Sequence, residues 1–219
     1  MILYNFPKAA AFGKILAKSK IYEHATPTSK VKELFVREIE KIIWAYKLSP
    51  ATINLPASSG VQELQVFTIA LRAGTLSHEV LQTIDKAIPS PILFILNYNG
   101  KSRFVAAYKR QSEVDKNKWV VSSYFGTAWM NETEEKKELP VVLNMAALYH
   151  FFLKALIPLP FRKAETLDEL VLRVDLLRSK EREAGKLESR MKKEQQFNRR
   201  VELNRSLNEL KQEIENLKR

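Results

Sequence analysis

Three residues of the chain have the side chains that a metal-dependent nuclease uses. Such an enzyme holds divalent ions at the scissile phosphate with converging carboxylates, and a lysine lies nearby. Glu63 begins an apolar, β-branched segment, Asp85 lies in a helical pattern, and Lys109 follows a second apolar segment. However, Gln65 stands where a nuclease often has its lysine. The simpler interpretation of Glu63, an ordinary carboxylate at a strand edge, is favoured, and we assign no catalytic residue.

The composition gives little support for other metal sites, cysteine nucleophiles or nucleotide-binding loops. The chain has no cysteine, so thiolate zinc sites and cysteine nucleophiles are excluded. Its three histidines, His24, His78 and His150, are too far apart in sequence for a histidine-based metal motif. The six glycines are isolated, which excludes a phosphate-cradling or dinucleotide-binding loop. We therefore expect no metal and no cofactor.

The net charge of +11 makes nucleic acid or an acidic partner plausible. Two groups of basic residues could contact phosphates, although a solvated surface is the favoured interpretation of each. The first lies near the N-terminus and consists of Lys14, Lys18, Lys20, Lys30 and Lys32. The second, which alternates with glutamates like the polar flank of a coiled coil, consists of Lys192, Lys193, Arg199, Arg200 and Arg205.

The C-terminal quarter predicts a long helix. No proline and only one glycine, Gly185, occur between Leu167 and Leu217, and Thr166 is a good N-cap. The final apolar residues follow the 4, 3, 4, 3 spacing of a coiled-coil seam. They are Leu203, Leu207, Leu210, Ile214 and Leu217. We expect this seam to bind a protein partner or a second copy, and the alternative is a helical hairpin folded back on its own chain.

The rest of the chain predicts alternating helices and strands. Helical spacing is found at 8–18, 29–46, 77–88 and 140–157. Strand patterns are found at 62–70, 92–98, 104–108 and 119–129, with a hairpin turn at Asn99-Gly100 and a polar turn at 115–118. The expected fold is α+β, with a small mixed or antiparallel sheet and packed helices over 1–160. A long coiled-coil helix over 161–219 follows the prolines at 158 and 160. Its segment 192–200 is weakly apolar and strongly basic, which predicts two coiled segments with a hinge or an exposed basic face between them.

Segments spread over nearly the whole chain resemble a bacterial and archaeal family known as domain of unknown function 4391. They are Phe6-Pro-Lys8, Ala17-Lys-Ser-Lys-Ile-Tyr22, Ile43-Trp-Ala-Tyr-Lys-Leu-Ser49, Glu63-Leu-Gln-Val-Phe67, Ile84-Asp-Lys-Ala-Ile-Pro-Ser-Pro-Ile-Leu-Phe-Ile95 and Gln196-Phe-Asn-Arg-Arg-Val-Glu-Leu-Asn204. The resemblance implies no assigned activity and no catalytic residue. It implies a neighbourhood of DNA methyltransferases and helicases in restriction-like or defence clusters.

The expected function is that of a non-enzymatic accessory subunit in a DNA-processing system. The globular domain would bind DNA or a helicase or methyltransferase partner, and the C-terminal helix would associate with a partner or a second copy. Two alternatives stay open, a nuclease using Glu63, Asp85 and Lys109, and a scaffold without nucleic-acid contact. We expect a cytoplasmic protein without a membrane partner, because no long apolar segment is present.

Overall fold

The computed structural model of the protein describes residues 3–58, 60–112 and 119–219. The chain divides into two compact units, Met1–Ile157 and Pro158–Arg219. The first contains β1 (Leu3–Tyr4), a 3-10 helix (Lys8–Ala10), β2 (Ala11–Ile15), α1 (Lys18–Ala25), α2 (Ser29–Glu38), β3 (Ile39–Leu48), α3 (Pro50–Ile53), β4 (Leu64–Leu71), α4 (His78–Ala87), β5 (Ile92–Tyr98), β6 (Lys101–Gln111), β7 (Trp119–Gly126), β8 (Met130–Asn131), β9 (Lys136–Lys137) and α5 (Met145–Leu156). The second contains α6 (Leu167–Lys193) and α7 (Phe197–Lys218).

A mixed sheet forms the frame of the first unit. Its strand order is β2-β3-β4-β5-β6-β7, and β8 adds a short pairing to β6. Only β4 and β5 run parallel, because α4 carries the chain back between them; the other pairs in this sheet are antiparallel. The arrangement therefore fixes α4 against the centre of the sheet.

Side chains alternate between the two faces of the sheet and create two packing layers. On one face Phe67, Phe94 and Val105 share a buried cluster with apolar residues of α1, α2 and α4. Residues one position out of phase, such as Phe104, lie on the opposite face, where α5 packs on β6 and β7. Burial of these apolar side chains is the main source of stability for the unit.

The turn between β5 and β6 is the hairpin that the sequence predicts. Asn99 and Gly100 have φ angles of 45° and 69°, which are the left-handed values required by a type I′ turn. The pairing of Tyr98 with Lys101 brings the two strands together directly beside this turn. The hairpin prediction is confirmed. The polar turn predicted at 115–118 lies outside the described residues.

Two helix predictions near the N-terminus are wrong. The segment after Ala10 is not helical but forms β2, an exposed edge strand whose pairing with β3 shifts register between Ala11 and Lys14. The second predicted helix ends at Glu38, eight residues early, and the chain continues as β3. Ile39, Ile42 and Ile43 also fit a helical spacing, so the hydrophobic pattern predicted a helix where the β-branched strand β3 pairs with β4.

A second, two-stranded pairing joins the beginning of the chain to a distant segment. Leu3 and Tyr4 of β1 pair in parallel with Lys136 and Lys137 of β9. The Tyr4 ring contacts the Phe104, Phe151 and Phe152 rings at centroid distances of 5.3 to 6.2 Å. β1 thus covers aromatic residues of β6 and α5.

The α+β class, the mostly antiparallel sheet and the long C-terminal helix are confirmed. Residues 194–196 separate α6 from α7, within the segment 192–200 where the sequence predicts a hinge or an exposed basic face. Thr166 caps α6 as expected, because its hydroxyl accepts from the Glu169 N–H and the Glu169 side chain binds back to Thr166. The helix predicted to begin at 140 begins instead at Met145, where Asn144 is the N-cap.

Candidate nucleic-acid interface

The five N-terminal lysines do not form one phosphate-binding face. The Lys18 ammonium donates to the carbonyl oxygens of Phe35 at 2.8 Å and Ile39 at 2.7 Å, at the C-terminal end of α2. A cation at a helix C-terminus satisfies free carbonyls and complements the helix dipole. Burial, together with the nearby Arg72 charge, lowers the pKa of Lys18. These contacts favour a structural role for Lys18.

The remaining four lysines lie at the surface. Lys20 pairs with Glu23 at 2.9 Å. The Lys14 and Lys32 ammonium groups lie over the Phe12 and Tyr22 rings, at 4.8 and 5.5 Å from the ring centroids. Lys30 is exposed. Phosphate binding by these four residues stays a prediction.

Asp85 and Lys109, two residues of the nuclease hypothesis, lie together in the interior. Their side chains are each 1% exposed, and the Lys109 ammonium lies 3.5 Å from the Asp85 carboxylate. The ammonium also donates to the main-chain oxygens of Asp85, Ile88 and Ser90, just where α4 ends. Tyr124 donates its hydroxyl to the other Asp85 oxygen. Lys109 is therefore a buried cap for the C-terminus of α4.

Burial dominates the protonation of this network. Removal from water raises the pKa of Asp85 to about 6, although the Lys109 charge and the Tyr124 hydrogen bond act in the opposite direction. Burial likewise lowers the pKa of Lys109 and raises the pKa of Tyr124. Perturbed groups often mark active sites, but the Asp85 and Lys109 side chains are each only 1% exposed and cannot meet a substrate. The geometry favours structure over catalysis.

Glu63 lies apart from this pair and has its own partners. Its carboxylate pairs with Lys47 at 2.8 Å and accepts hydrogen bonds from the Gln65 amide at 2.7 Å and the Ser90 hydroxyl at 3.2 Å. Gln65, the residue at the lysine position of the nuclease pattern, is buried and accepts from the Trp44 indole. Within the described residues, no group of three or more His, Asp or Glu could hold a metal ion.

The C-terminal seam is buried within the second unit. Leu207, Leu210 and Ile214 of α7 pack with Leu177 and Ala184 of α6, and Leu217 is partly buried against the same cluster. Leu203, the first residue of the predicted seam, lines a concavity at the end of the two helices. The central seam residues thus lie inside an α6–α7 hairpin, the alternative that the sequence left open. Association through the seam with another chain stays a prediction.

Ion pairs show that α6 and α7 run antiparallel. Lys180 pairs with Glu213 at 2.6 Å, whereas Glu188, further along α6, pairs with Lys211 at 2.9 Å. At the base of the hairpin the buried Arg173 guanidinium binds the Glu165 carboxylate at 2.7 Å and donates to the Leu217 carbonyl at 2.7 Å. These contacts place residues 186–200 at the opposite end.

That end is strongly basic. We define the basic tip as Arg190, Lys192, Lys193, Arg199 and Arg200, which occupy the last turn of α6 and the first turn of α7. None of the five forms a salt bridge with any residue that the structure describes. Three of them, Arg190, Lys193 and Arg199, border a concavity of about 540 Å³ whose lining also includes Glu194 and Glu202, and Phe197 is 77% exposed. Arg199 and Arg200 lie at the N-terminal end of α7, where the helix dipole adds to their positive field, whereas the other three cations lie at the C-terminal end of α6. A group of five cations attracts anions.

A family model described as Domain of unknown function (DUF4391) matches residues 4–214. The chain belongs to this family. The match includes both units, so the helical hairpin is part of the DUF4391 region. No curated protein and no solved structure matches the DUF4391 protein.

Sequence analysis identified most cations of the DUF4391 protein's basic tip, but it did not predict that they lie together without salt bridges to the described residues. Four of the five tip residues belong to the second basic group of the sequence analysis. The glutamates that alternate with that group suggested the polar flank of a coiled coil, in which the cations would form ion pairs. In the hairpin, Glu188 instead forms a salt bridge with Lys211, and Glu209 forms one with Arg205. No helix in the described ranges is both long and apolar enough to cross a lipid bilayer.

Proposed function

We propose that this DUF4391 protein is a non-enzymatic DNA-binding subunit of a DNA-processing system, and that its basic tip contacts the phosphate backbone. The observation that carries the proposal is the concentration of five cations without salt bridges at one end of the hairpin. Cations that are already paired lose that pairing when they bind phosphate, whereas free ones release only counterions. The net charge of +11 supports the same partner.

The tip is a better candidate than the N-terminal lysines. Lys18 is occupied by main-chain carbonyls and Lys20 by Glu23, so the first group has fewer free cations. The exposed Phe197 ring beside the tip could contact a sugar or an unstacked base. A helicase or methyltransferase of the same system would be the protein partner. It would contact other surfaces, because Leu207, Leu210 and Ile214 are covered by α6.

Simultaneous replacement of Arg199 and Arg200 by alanine is expected to weaken DNA binding and its salt dependence. Each phosphate contact contributes about 0.9 to the slope of log K against log salt, so two lost contacts lower the slope by about 2. Fluorescence anisotropy of a labelled duplex, measured with full-length protein from low to physiological salt, gives both quantities.

A matched control removes two lysines from the same hairpin that are already paired. Lys211 binds Glu188, and Lys218 lies 3.5 Å from Glu181, so Lys211→Ala with Lys218→Ala removes equal charge from paired positions. The control should retain the affinity and slope of the original chain far better than the tip variant. Equal losses in both variants would contradict a localised site. No DNA binding even at low salt would contradict the proposal and favour the scaffold alternative.

A further inference from the structure

The first unit contains a cleft that none of the preceding roles uses. It lies between the beginning of α4 and strands β5 to β7, and its volume is about 260 Å³. We call it the Arg103 cleft and define it by Thr75, His78, Leu96, Arg103, Tyr124 and Trp129. No Asp or Glu is among its described lining residues, so the cleft has a cation but no lining counter-charge.

One nitrogen of the partly buried Arg103 guanidinium has no hydrogen-bond partner. Its Nε atom is buried and has no hydrogen-bond partner, and the side chain forms no salt bridge with any residue in the described ranges. A buried donor without an acceptor costs free energy, and the cost is larger for a charged group. Native structures therefore rarely leave such a group unpaired without a reason, such as a bound ion or ligand.

Arg103 lies near the N-terminal end of α4, where a cation without a counter-charge is unfavourable. Arg103 and Lys109 lie on the same face of β6, and Lys109 caps the C-terminus of α4, where a cation is favourable. Arg103 instead shares the cleft with His78, the first residue of α4. A helix N-terminus is the positive end of the dipole and repels a cation. An anion between the two would remove this repulsion.

Two acids at this helix end form no salt bridge with Arg103: Glu79, in the first turn of α4, is exposed, and Glu38 already has its partners. Glu38 accepts from the Ser77 N–H at 2.7 Å, from the Ser77 hydroxyl at 2.6 Å and from Arg37 at 3.2 Å. Ser77 donates its hydroxyl to Glu38, and its side chain makes no capping bond to the first turn of α4. Glu38 therefore supports the loop before α4 and leaves Arg103 without a carboxylate.

The strand opposite Arg103 keeps the guanidinium in place. A Cβ atom at Gly126 would lie 2.9 Å from the Phe104 carbonyl oxygen and 3.3 Å from Arg103 Nε. Such distances require a shift of the neighbouring atoms, so a side chain at this position would displace the backbone or the arginine. Because Gly126 has no side chain, the Arg103 guanidinium can lie against β7 at this position.

The other walls of the cleft are apolar and aromatic. Leu96, Trp129 and the ring of Tyr124 line it, and the His78 ring packs edge-on against Tyr124 at a centroid distance of 4.5 Å. The volume is slightly below the usual range of about 300–1,000 Å³ for pockets that hold drug-sized ligands. A small, flat ligand with one charged end matches both the size and the lining.

We propose that the Arg103 cleft binds a small planar organic oxyanion. A carboxylate or phosphate group of the ligand pairs with the Arg103 guanidinium near the N-terminus of α4, and its flat apolar body lies against Trp129 and Tyr124. The cleft belongs to the first unit, so the proposal is independent of DNA binding at the basic tip.

Isothermal titration of the full-length protein with three probes tests the proposal at low ionic strength. Benzoate combines a carboxylate with an aromatic ring, deoxycytidine monophosphate combines a phosphate with a base, and inorganic phosphate has the charge alone. We expect at least one of the two probes with a planar ring to bind more tightly than inorganic phosphate. The tighter of the two shows whether the cleft prefers a carboxylate or a phosphate. Binding of none of them, or equal binding of all three, would overturn the proposal.

Variants assign the binding to the cleft. Arg103→Gln is expected to weaken the best probe about 10- to 100-fold, because a charge-assisted hydrogen bond is lost. Lys41→Gln, which removes an exposed cation from β3, should bind like the original chain. Without a probe, the melting temperature of Arg103→Gln should equal or exceed that of the original chain, since a partly buried cation without a salt bridge is removed. Unchanged probe affinity in folded Arg103→Gln would contradict the proposal.

Discussion

Replacement of Lys109 by methionine is expected to lower the free energy of unfolding by about 3–5 kcal/mol, since one partner of a buried ion pair is removed. The change leaves the Asp85 carboxylate without its cation and three main-chain oxygens at the end of α4 without their donor. Methionine fills much of the lost volume, so the effect reports the polar network and not a cavity. Urea unfolding followed by circular dichroism measures it.

The Lys47→Met variant is the matched control. Lys47 also pairs with a carboxylate, Glu63 at 2.8 Å, but its side chain is 39% exposed. Exposed pairs contribute about 0–1 kcal/mol, so this control should be nearly as stable as the original chain. Equal stability of the two variants would contradict the structural role assigned to Lys109.

The loss in Lys109→Met should also depend on pH. Without the neighbouring ammonium, the pKa of Asp85 should rise further above its ordinary value, because burial continues to oppose ionisation. A carboxyl whose pKa is higher in the folded than in the unfolded state stabilises the fold below its unfolded pKa, and this contribution is lost as pH rises through the folded pKa. The variant's deficit should therefore be smaller at pH 4 than at pH 8.

Replacement of Leu210 by alanine is expected to destabilise the helical hairpin by about 2–5 kcal/mol. Leu210 is buried in the cluster that joins α7 to Leu177 and Ala184 of α6, and truncation leaves a cavity there. Thermal unfolding monitored by helical circular dichroism measures the loss. Leu172→Ala in α6 is the control, because Leu172 is largely exposed and its truncation should change stability by less than about 0.5 kcal/mol.

The same variant separates the two roles of the seam. If the seam closes the hairpin, Leu210→Ala lowers stability while the molar mass in solution, measured by light scattering, stays that of the original chain. A fall in molar mass with unchanged thermal stability would show instead that the seam joins separate chains. That result would confirm the coiled-coil association between chains that the 4, 3, 4, 3 spacing predicts.

Local signals predicted much of the fold correctly. The run β4–α4–β5 and the Asn99-Gly100 turn each have a pattern that a few neighbouring residues determine. β3 was missed because Ile39 and Ile42 fit both a helical and a strand pattern, and only pairing with β4 decides between them. Residues 194–196 contain neither glycine nor proline, but the segment 192–200 around them is weakly apolar and strongly basic, and this local composition indicated the break between α6 and α7.

The candidate sites were less accessible to sequence reasoning. Cations can be counted in a sequence, but whether a cation is free depends on which carboxylates the fold brings near it. Lys18 and Lys109 looked available and are committed to carbonyl groups. Arg103 gave no signal at all, because its position beside α4 depends on the strand order of the sheet.

The pairing of β1 with β9 has a consequence for the order of folding. The Asn5 and Glu138 side chains, which bond next to this pairing, are 133 positions apart in sequence. Closing so long a loop is entropically costly until the sheet and α5 have already brought the two segments together. The first strand of the chain is therefore the last to dock. Since it is only two residues long, it is also the first to detach, exposing Phe104 and Phe152 to other chains while the rest of the sheet stays folded.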